Sequence, residues 1–250
     1  MMLSFTAPGP LGTAAEVLPY LLDGAVVTVK VALGATPVAL ALAFIAGLAG
    51  CSGSRWARGV SRGYLEFFRG TAVIVQMYWI FYAMPALTGY RLDPVFAGVI
   101  AVGLNLGAYG SEVVRGAIAA VPVPQREAGI ALNFGPVQRM VRIILPQAWV
   151  AMLPPLNNLW IELLKATSLV SVISVADVIA ESRTLRNTGY SPLVVMTLVL
   201  LIYLLLALII TLIMRMLERR AAHRVGREPP PLLPRRRRRR PPVPVRGEVA

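Results

Sequence analysis

Residues 121–148 read VPVPQREAGIALNFGPVQRMVRIILPQA, and hydrophobic sequence long enough to cross a membrane lies on both sides of this polar stretch. We predict a short helix from about residue 124 to residue 132, since proline suits the first positions of a helix. Glu127 is expected in its first turn, where the positive end of the helix dipole favours a carboxylate. A tight turn should follow at residues 133–135, because Asn and Gly adopt left-handed backbone at the least cost.

A second helix is predicted to begin at Pro136, and it should be amphipathic. Five apolar residues recur at helical spacing on one of its faces, namely Val137, Met140, Val141, Ile144 and Leu145. The other face carries Gln138, Arg139 and Arg142. One face therefore favours an apolar partner and the other favours water or acidic groups. A helix, a turn and an amphipathic helix between two membrane spans form a surface that a soluble protein could bind.

The composition of the chain indicates a membrane protein. Of its 250 residues, 56% are hydrophobic and 15% are charged, whereas about 45–50% of residues are apolar in soluble domains. We expect an all-α polytopic membrane protein with about five transmembrane helices. Their expected positions are about 25–49, 65–84, 95–109, 153–179 and 192–214. The third is short and interrupted by glycine, and the fourth is so polar and proline-rich that hydropathy alone would not identify it.

The distribution of arginine predicts the orientation in the membrane. With five spans, the acid-free loop containing Arg55, Arg58 and Arg62 lies on the same side as the polar stretch and the arginine-rich C-terminus. An excess of arginine marks the cytoplasmic side, so the N-terminus should be outside and the C-terminus cytoplasmic. The chain then divides into an external N-terminal segment (1–20), a transmembrane domain (21–220, with the polar loop at 122–148) and a tail (221–250).

The tail contains six consecutive arginines at residues 235–240 between proline-rich segments. Such a composition cannot bury enough apolar surface to fold, so we expect disorder. No aromatic residue alternates with the arginines. Contact with anionic membrane lipids, or a topology signal, is therefore favoured over nucleic-acid binding.

The run EAGIALNFGPVQRMVRIILP resembles the EAA loop of ATP-binding-cassette (ABC) importer permeases. That pattern is EAA, three residues, Gly, nine residues, Ile, any residue, and Leu-Pro. The matching positions are Glu127, Ala128 and Gly129 for EAA, Asn133 for the Gly, Ile143 for the Ile, and Leu145 and Pro146 for the Leu-Pro. Gly129 departs from the pattern and should weaken the first helix by up to about 1 kcal/mol. Asn133 is the milder departure. The resemblance implies that these residues couple the protein to an ATPase. Gly135 joins them because the turn at 133–135 should set the angle between the two helices.

The resemblance extends over about residues 21–220. Three blocks at residues 64–85, 107–122 and 153–173 resemble the polar amino acid permeases. Within that family, their sequence most resembles that of ectoine and hydroxyectoine permease subunits. One departure is Pro124, where the family usually has Gly. The resemblance implies a bacterial plasma-membrane subunit that pairs with a second permease, homologous or identical. It also implies an ABC ATPase subunit, an extracytoplasmic substrate-binding protein and alternating access for a polar amino acid or an amino-acid-like compatible solute.

A catalytic role is not indicated. The chain has no G-x-x-x-x-G-K-[ST] motif for binding nucleotide phosphates, so ATP hydrolysis should come from a separate subunit. His223 is the only histidine, no Cys or His cluster indicates a metal site, and no cofactor is expected. The alternative is a secondary transporter or channel that works without an ATPase. Its usual signature is an internal repeat with paired broken helices, and no repeat is visible.

Charged and aromatic residues within the predicted spans are further candidates. Glu162 and Lys165 are spaced i to i+3, so they share a helix face. They could form a structural ion pair or line a substrate path, and both interpretations stay open. Tyr78 and Trp79 belong to an aromatic cluster with Tyr82. Core packing or an interfacial belt explains this cluster, although aromatic faces would also suit a zwitterion with a delocalised cation.

Overall fold

The structure, a computed structural model, describes residues 10–224, and this part of the chain is helical without a strand. Two π-helical turns, Trp79–Ala83 and Met140–Ile144, and one 3-10 turn, Ser168–Ile173, connect some of the helices. The helices are α1 (Pro10–Gly50), α2 (Arg55–Gly70), α3 (Val73–Tyr78), α4 (Met84–Thr88), α5 (Pro94–Ala119), α6 (Val123–Ala131), α7 (Pro136–Arg139), α8 (Leu145–Thr167), α9 (Val178–Asn187) and α10 (Pro192–Arg224).

The number of membrane spans agrees with the sequence prediction when two bent helix pairs are counted as spans. Helices α1, α5 and α10 are each long and apolar enough to cross a bilayer. The helix α2 is bent by 100° against the helical segment 73–88, and the helical segment Pro136–Ile173 is bent by 51° against α9. Counting each pair once gives five spans, and the all-α membrane fold is confirmed.

Both outer spans extend beyond their predicted limits. Helix α1 begins at Pro10, inside the predicted N-terminal segment 1–20, and proline at a first helical position causes no loss because its missing N–H is not needed there. Helix α10 continues to Arg224, so residues 221–224 of the predicted tail are helical. The rest of that tail, including the arginine run, and residues 1–9 lie outside the described part of the chain.

The prediction of one continuous second span at 65–84 is wrong. The loop that was predicted around Arg55, Arg58 and Arg62 is the amphipathic helix α2, whose first turn is capped by Ser54. Helix α2 ends at Gly70, and the carbonyl groups that its last turn leaves open need other donors. The Gln76 side-chain amide donates to the carbonyl oxygens of Phe68 and Thr71, both at 3.2 Å. Asn105 also donates to the Phe68 carbonyl, at 3.0 Å.

The predicted limits of the third and fourth spans are also wrong. Helix α5 covers 26 residues instead of ending at 109, because its glycines are packing positions and not interruptions. The fourth span was predicted at 153–179, whereas the continuous helical segment is Pro136–Ile173. Ser174 ends it with a left-handed backbone (φ 66°), which a helix cannot continue through.

The packing of α1 against α5 forms the centre of the fold. A Cβ atom built on Gly103 would lie 2.6 Å from Cγ1 of Val38, and one on Gly47 would lie 2.7 Å from Cβ of Val114. Similar contacts occur at Gly107 and Gly110, against Leu42 and Ala43. We call this close contact the α1–α5 seam. Small residues allow two helices to approach closely where lipid provides no hydrophobic driving force between them, and the glycines of α1 and α5 permit this close approach.

Candidate functional site

The polar stretch at 121–148 forms a helix, a turn and a second helix, as the sequence predicts. Helix α6 ends with a Schellman arrangement, in which the Phe134 N–H donates to the Gly129 carbonyl (2.9 Å) and the Asn133 N–H to the Ile130 carbonyl (2.8 Å). Asn133 has the left-handed conformation that this arrangement requires, with φ 57°. The left-handed turn therefore lies at the position where the EAA pattern has glycine.

Two local predictions for this loop are wrong. Gly135 is extended (φ −63°, ψ 163°) and not left-handed, because Asn133 alone reverses the chain. The Gly135 N–H instead donates to the Gln138 side chain at 3.1 Å and begins α7. Glu127 lies in the second turn of α6, because the helix begins at Val123. Its carboxylate therefore gains little from the helix dipole, and the exposed side chain is available to a partner.

Gly129, the unexplained departure from the pattern, lies where α6 contacts the second helix. A Cβ at this position would be 2.8 Å from Cδ1 of Ile143 and 2.9 Å from Cγ of Arg139. Glycine thus permits a closer contact between the two helices of the loop than alanine would allow. No sequence pattern within α6 could have revealed this contact, since both neighbours lie in the other helix.

Leu145 and Pro146 lie where the second helix of the loop joins the span α8. Pro146 has no N–H and would clash with a regular α-helical turn before it. The preceding segment Met140–Ile144 is a π-helical turn, in which the Leu145 N–H donates to the Met140 carbonyl. The same device occurs at Trp79–Ala83 before Pro85. The second helix of the loop is consequently continuous with the membrane span α8, so a displacement of the loop can be transmitted to α8 through helical backbone.

The π-helical turn also divides the apolar face predicted for the second helix. Ile144 is buried, whereas Val137 is 75% exposed. Val137 and Val141 of the second helix are exposed, as are Ile130, Leu132 and Glu127 of the preceding helix and its cap. We call the coupling surface the set of exposed residues Glu127, Ala128, Ile130, Leu132, Val137 and Val141. An exposed apolar patch with polar residues around it is typical of a protein–protein contact.

A second exposed group lies on α8. Asn158, Glu162 and Lys165 are spaced i, i+4 and i+7, so they share a face, and all three are exposed. We call them the polar stripe. Asn158 was missed because hydropathy weights one amide little, although its spacing from Glu162 could have revealed it. Glu162 and Lys165 form no ion pair with each other in the described chain, where the pair recorded joins Glu112 to Arg115 at 2.7 Å.

The aromatic residues of the second span do not belong to the core. Tyr78 is 43% exposed and Trp79 is 55% exposed. The rings of Tyr78 and Tyr82 are stacked with their centroids 5.7 Å apart. Core packing is therefore ruled out for this cluster, and its rings are available to lipid, a partner or a substrate.

Comparison with known proteins identifies relatives over most of the chain. The sequence model of a family described as binding-protein-dependent transport system inner membrane component matches residues 17–223. A probable amino-acid ABC transporter permease protein of Sinorhizobium fredii is 42% identical over 198 residues, which cover 77% of this chain and 79% of the relative. The glutamine transport system permease protein of Escherichia coli is 35% identical over 183 residues, covering 73% and 84%. An L-cystine transport system permease protein of Bacillus subtilis is 39% identical over 165 residues, covering 66% and 70%.

A solved structure has the same fold. The crystal structure of an amino acid ABC transporter with histidines contains a chain that matches this one with a TM-score of 0.76 and 27% identity. The match covers 88% of this chain and 100% of that chain. An inward-facing methionine ABC transporter matches with a TM-score of 0.58 and 16% identity over 84% of this chain and 95% of that chain, which supports the fold alone.

Proposed function

The chain belongs to the family of binding-protein-dependent transport system inner membrane components, as a noncatalytic permease subunit of a bacterial ABC amino-acid importer. We propose that its exposed surfaces bind the other subunits of that importer. Its localisation is the plasma membrane, which it crosses several times. The alternative of a secondary transporter or channel without an ATPase is set aside, because members of this family are translocation components that an ATPase drives.

The proposed partner of the coupling surface is the ABC ATPase subunit. This role of the coupling residues rests on the exposure of Glu127 beside exposed apolar residues at the end of the helix pair. A carboxylate at such an interface can accept charge-assisted hydrogen bonds from a basic residue of the ATPase. Closure of two ATPases would then move α6 and α7, and α8 would follow because the π-helical turn keeps the backbone helical.

The proposed neighbour of the polar stripe is a water-filled path shared with a second permease, identical or homologous. Two exposed charges and an amide on one span would be expensive against lipid, at about 3 kcal/mol for each charge on insertion scales. A polar path removes most of this cost. Transport would alternate between inward-open and outward-open states, with an extracytoplasmic binding protein delivering the substrate.

The proposed substrate is a polar amino acid. Glu162 can accept hydrogen bonds from an α-ammonium group, and Lys165 can donate to an α-carboxylate. Side chains at i and i+3 start about 5–6 Å apart, which suits the two charges of one zwitterion. The finer proposal is ectoine or hydroxyectoine, whose delocalised cation could lie against the exposed rings of Tyr78 and Trp79.

The substrate proposal is tested by competition. Cells that express the complete importer should take up labelled glutamine, and an excess of unlabelled polar amino acids should reduce that uptake. Competition by ectoine as well would support the finer proposal. Failure of every amino acid to compete, with ectoine or another solute transported instead, would contradict the amino-acid assignment without affecting the assignment of the chain as a permease.

The coupling proposal is tested by copurification of the ATPase with a tagged permease. Glu127→Ala should lower the retained ATPase at least about tenfold, equivalent to ~1.4 kcal/mol, while the amount of permease in the membrane is unchanged. Glu66→Ala is the matched control, because Glu66 is an exposed carboxylate outside the coupling surface. Equal retention of the ATPase by both variants would show that Glu127 is not part of the contact.

A further inference from the structure

Helix α2 has three distinct faces. One packs on the protein, where the Ser61 hydroxyl donates to the Ala46 carbonyl at 2.8 Å and the Tyr64 hydroxyl donates to the Leu104 carbonyl at 2.6 Å. The second is apolar and exposed, with Trp56 at 87%, Val60 at 71% and Phe67 at 61%. The third is charged.

The apolar and charged faces both extend along the helix. Trp56, Val60 and Phe67 are spaced i, i+4 and i+11, which places them in one line. Arg55, Arg62 and Glu66 are spaced i, i+7 and i+11 and form a second line, and all three are exposed. Neither arginine makes a hydrogen bond or an ion pair with a described residue. The two faces therefore have no partner among residues 10–224.

Neither water nor hydrocarbon alone can satisfy these two faces. A large exposed Trp and Phe are unfavourable in water, and an arginine in hydrocarbon is expensive. The boundary between lipid headgroups and acyl chains satisfies both when the N-terminal half of α2 lies at the headgroups and the C-terminal half reaches the acyl chains. The contacts fit this placement, because Ser61 binds Ala46 near the end of α1 whereas Tyr64 binds Leu104 near the middle of α5. The bend of 100° between α2 and the helical segment 73–88 turns α2 sharply away from the direction of that segment.

The charge of α2 indicates the sign of the headgroup. Arg55 begins the helix, whose N-terminus already carries a partial positive charge, and the first turn contains no acidic residue. Arg58 lies one turn later, and its guanidinium donates to the Ser52 carbonyl. Glu66 is the acidic residue within α2 and lies one turn after Arg62 on the same line, so the excess of positive charge is confined to the N-terminal half of the helix. An anion near Arg55 and Arg62 would relieve this concentration of positive charge.

We propose that α2 is a binding site for anionic phospholipid of the cytoplasmic leaflet. Arg55 and Arg62 bind the phosphate-containing headgroups, and Trp56, Val60 and Phe67 contact the upper acyl chains. The hydrogen bonds of Ser61 and Tyr64 attach α2 to α1 and α5, so lipid binding to α2 stabilises the packing of these three helices. The assignment to the cytoplasmic leaflet rests on the orientation given by the arginine distribution. The lipid contact itself is independent of the ATPase and of the substrate.

The first test needs no change in α2. The full chain with Trp79→Phe, Trp149→Phe and Trp160→Phe retains Trp56 as its only tryptophan. Reconstitution into phosphatidylcholine vesicles with brominated phosphatidylglycerol or brominated phosphatidylcholine, at equal mole fraction, places a quencher on one lipid class. We expect stronger quenching of Trp56 by the anionic lipid. Equal quenching by both lipids, or none by either because protein covers Trp56, would overturn the proposal.

The second test uses variants in the wild-type tryptophan background. Arg55→Gln with Arg62→Gln should lower the affinity for phosphatidylglycerol in detergent about fivefold for each arginine, or ~30-fold together, from about 1 kcal/mol for each basic residue near an anionic surface. Arg183→Gln with Arg186→Gln on α9 is the matched control and should leave the affinity unchanged. Both variants retain the arginine-rich tail, so their difference isolates α2. An equal loss of affinity in the two variants, or no loss in either, would contradict the proposal.

Discussion

The α1–α5 seam and the polar stripe of α8 both lie within membrane-spanning helices, but the residues of the seam are packed within the chain whereas those of the stripe are exposed. At the seam, Gly103 and Gly47 leave no room for even a Cβ atom, so α1 and α5 are tightly packed against each other within one chain. On the polar stripe, Glu162 and Lys165 are exposed and have no ion-pair partner in the described chain. The helices of the seam pack within one chain, whereas the charges of the polar stripe are proposed to be accommodated only in the assembled importer. Changes at the seam should remove the protein, and changes on its surfaces should remove the function.

The largest effect is expected at the seam. Gly103→Val would place a Cβ atom about where Val38 already lies, and overpacking of a tight core costs about 1–3 kcal/mol or more. Size-exclusion chromatography in detergent should show loss of most of the monodisperse protein. Gly116→Val in the same helix is the control, because nothing lies within 4 Å of its added Cβ. If the two variants behave alike, the seam does not determine the fold.

The next largest effect concerns the polar stripe and should appear only in transport. Glu162→Gln and Lys165→Gln should each leave the folded protein unchanged and lower uptake by about tenfold or more, because each removes one charge that is proposed to bind the zwitterion. The double variant should be no better than either single variant. Recovery of uptake in the double variant would instead indicate a structural ion pair that forms in the assembly. The polar stripe would then have a packing role, as the seam has, and not a role in substrate binding.

A smaller effect is expected at the turn of the coupling loop. Asn133→Val forces a β-branched residue into a left-handed conformation, at a cost of about 1–2 kcal/mol, and should reduce copurification of the ATPase. Asn133→Gly should retain the ATPase fully, since glycine adopts this conformation freely. Gly135→Val should have little effect, because Gly135 is extended and an added Cβ is 4.0 Å from the Gln138 side chain. Greater sensitivity at Gly135 than at Asn133 would contradict the observed turn.

The smallest effect is expected for Gly129→Ala. The new methyl group meets atoms of Ile143 and Arg139 that can move, and the better helix propensity of alanine returns up to about 1 kcal/mol. The melting temperature should change by no more than about 4 °C, which is the shift expected for ~1 kcal/mol in a chain of this size. A loss of ATPase binding as large as that of Asn133→Val would mean that the helix contact in the loop is under tight constraint.

The same comparison explains which features the sequence could predict. Hydropathy is highest for helices whose side chains face lipid. It therefore predicts α10 well, because only 17% of the most apolar 18-residue stretch of α10 is buried within the protein. It underestimates the length of α5, because 61% of the corresponding stretch of α5 is buried. The glycines that made α5 look interrupted are the residues that pack it against α1. The turn at Asn133 was predictable because it depends on local backbone preference. The contact at Gly129 was not, since it depends on a neighbouring helix.

Helix α2 shows a second limit of sequence interpretation. Its acid-free arginines are typical of a loop between spans, whereas the spacing of Trp56, Val60 and Phe67 is helical, and the helix is what the structure contains. The bend after Gly70 depends on donors from Gln76 and Asn105, which are 29 residues apart in sequence. Such tertiary support cannot be recognised from the residues next to the bend.

The central claim is that this chain conducts substrate only when an ATPase acts through the coupling surface. It is tested most directly by uptake of a labelled polar amino acid into proteoliposomes that contain the purified permease complex, its binding protein and ATP. We predict uptake with wild-type protein in the presence of ATP, and none when the ATPase is omitted or when Glu127→Ala prevents its retention. Uptake that continues without the ATPase, or that is unchanged by Glu127→Ala, would contradict the account.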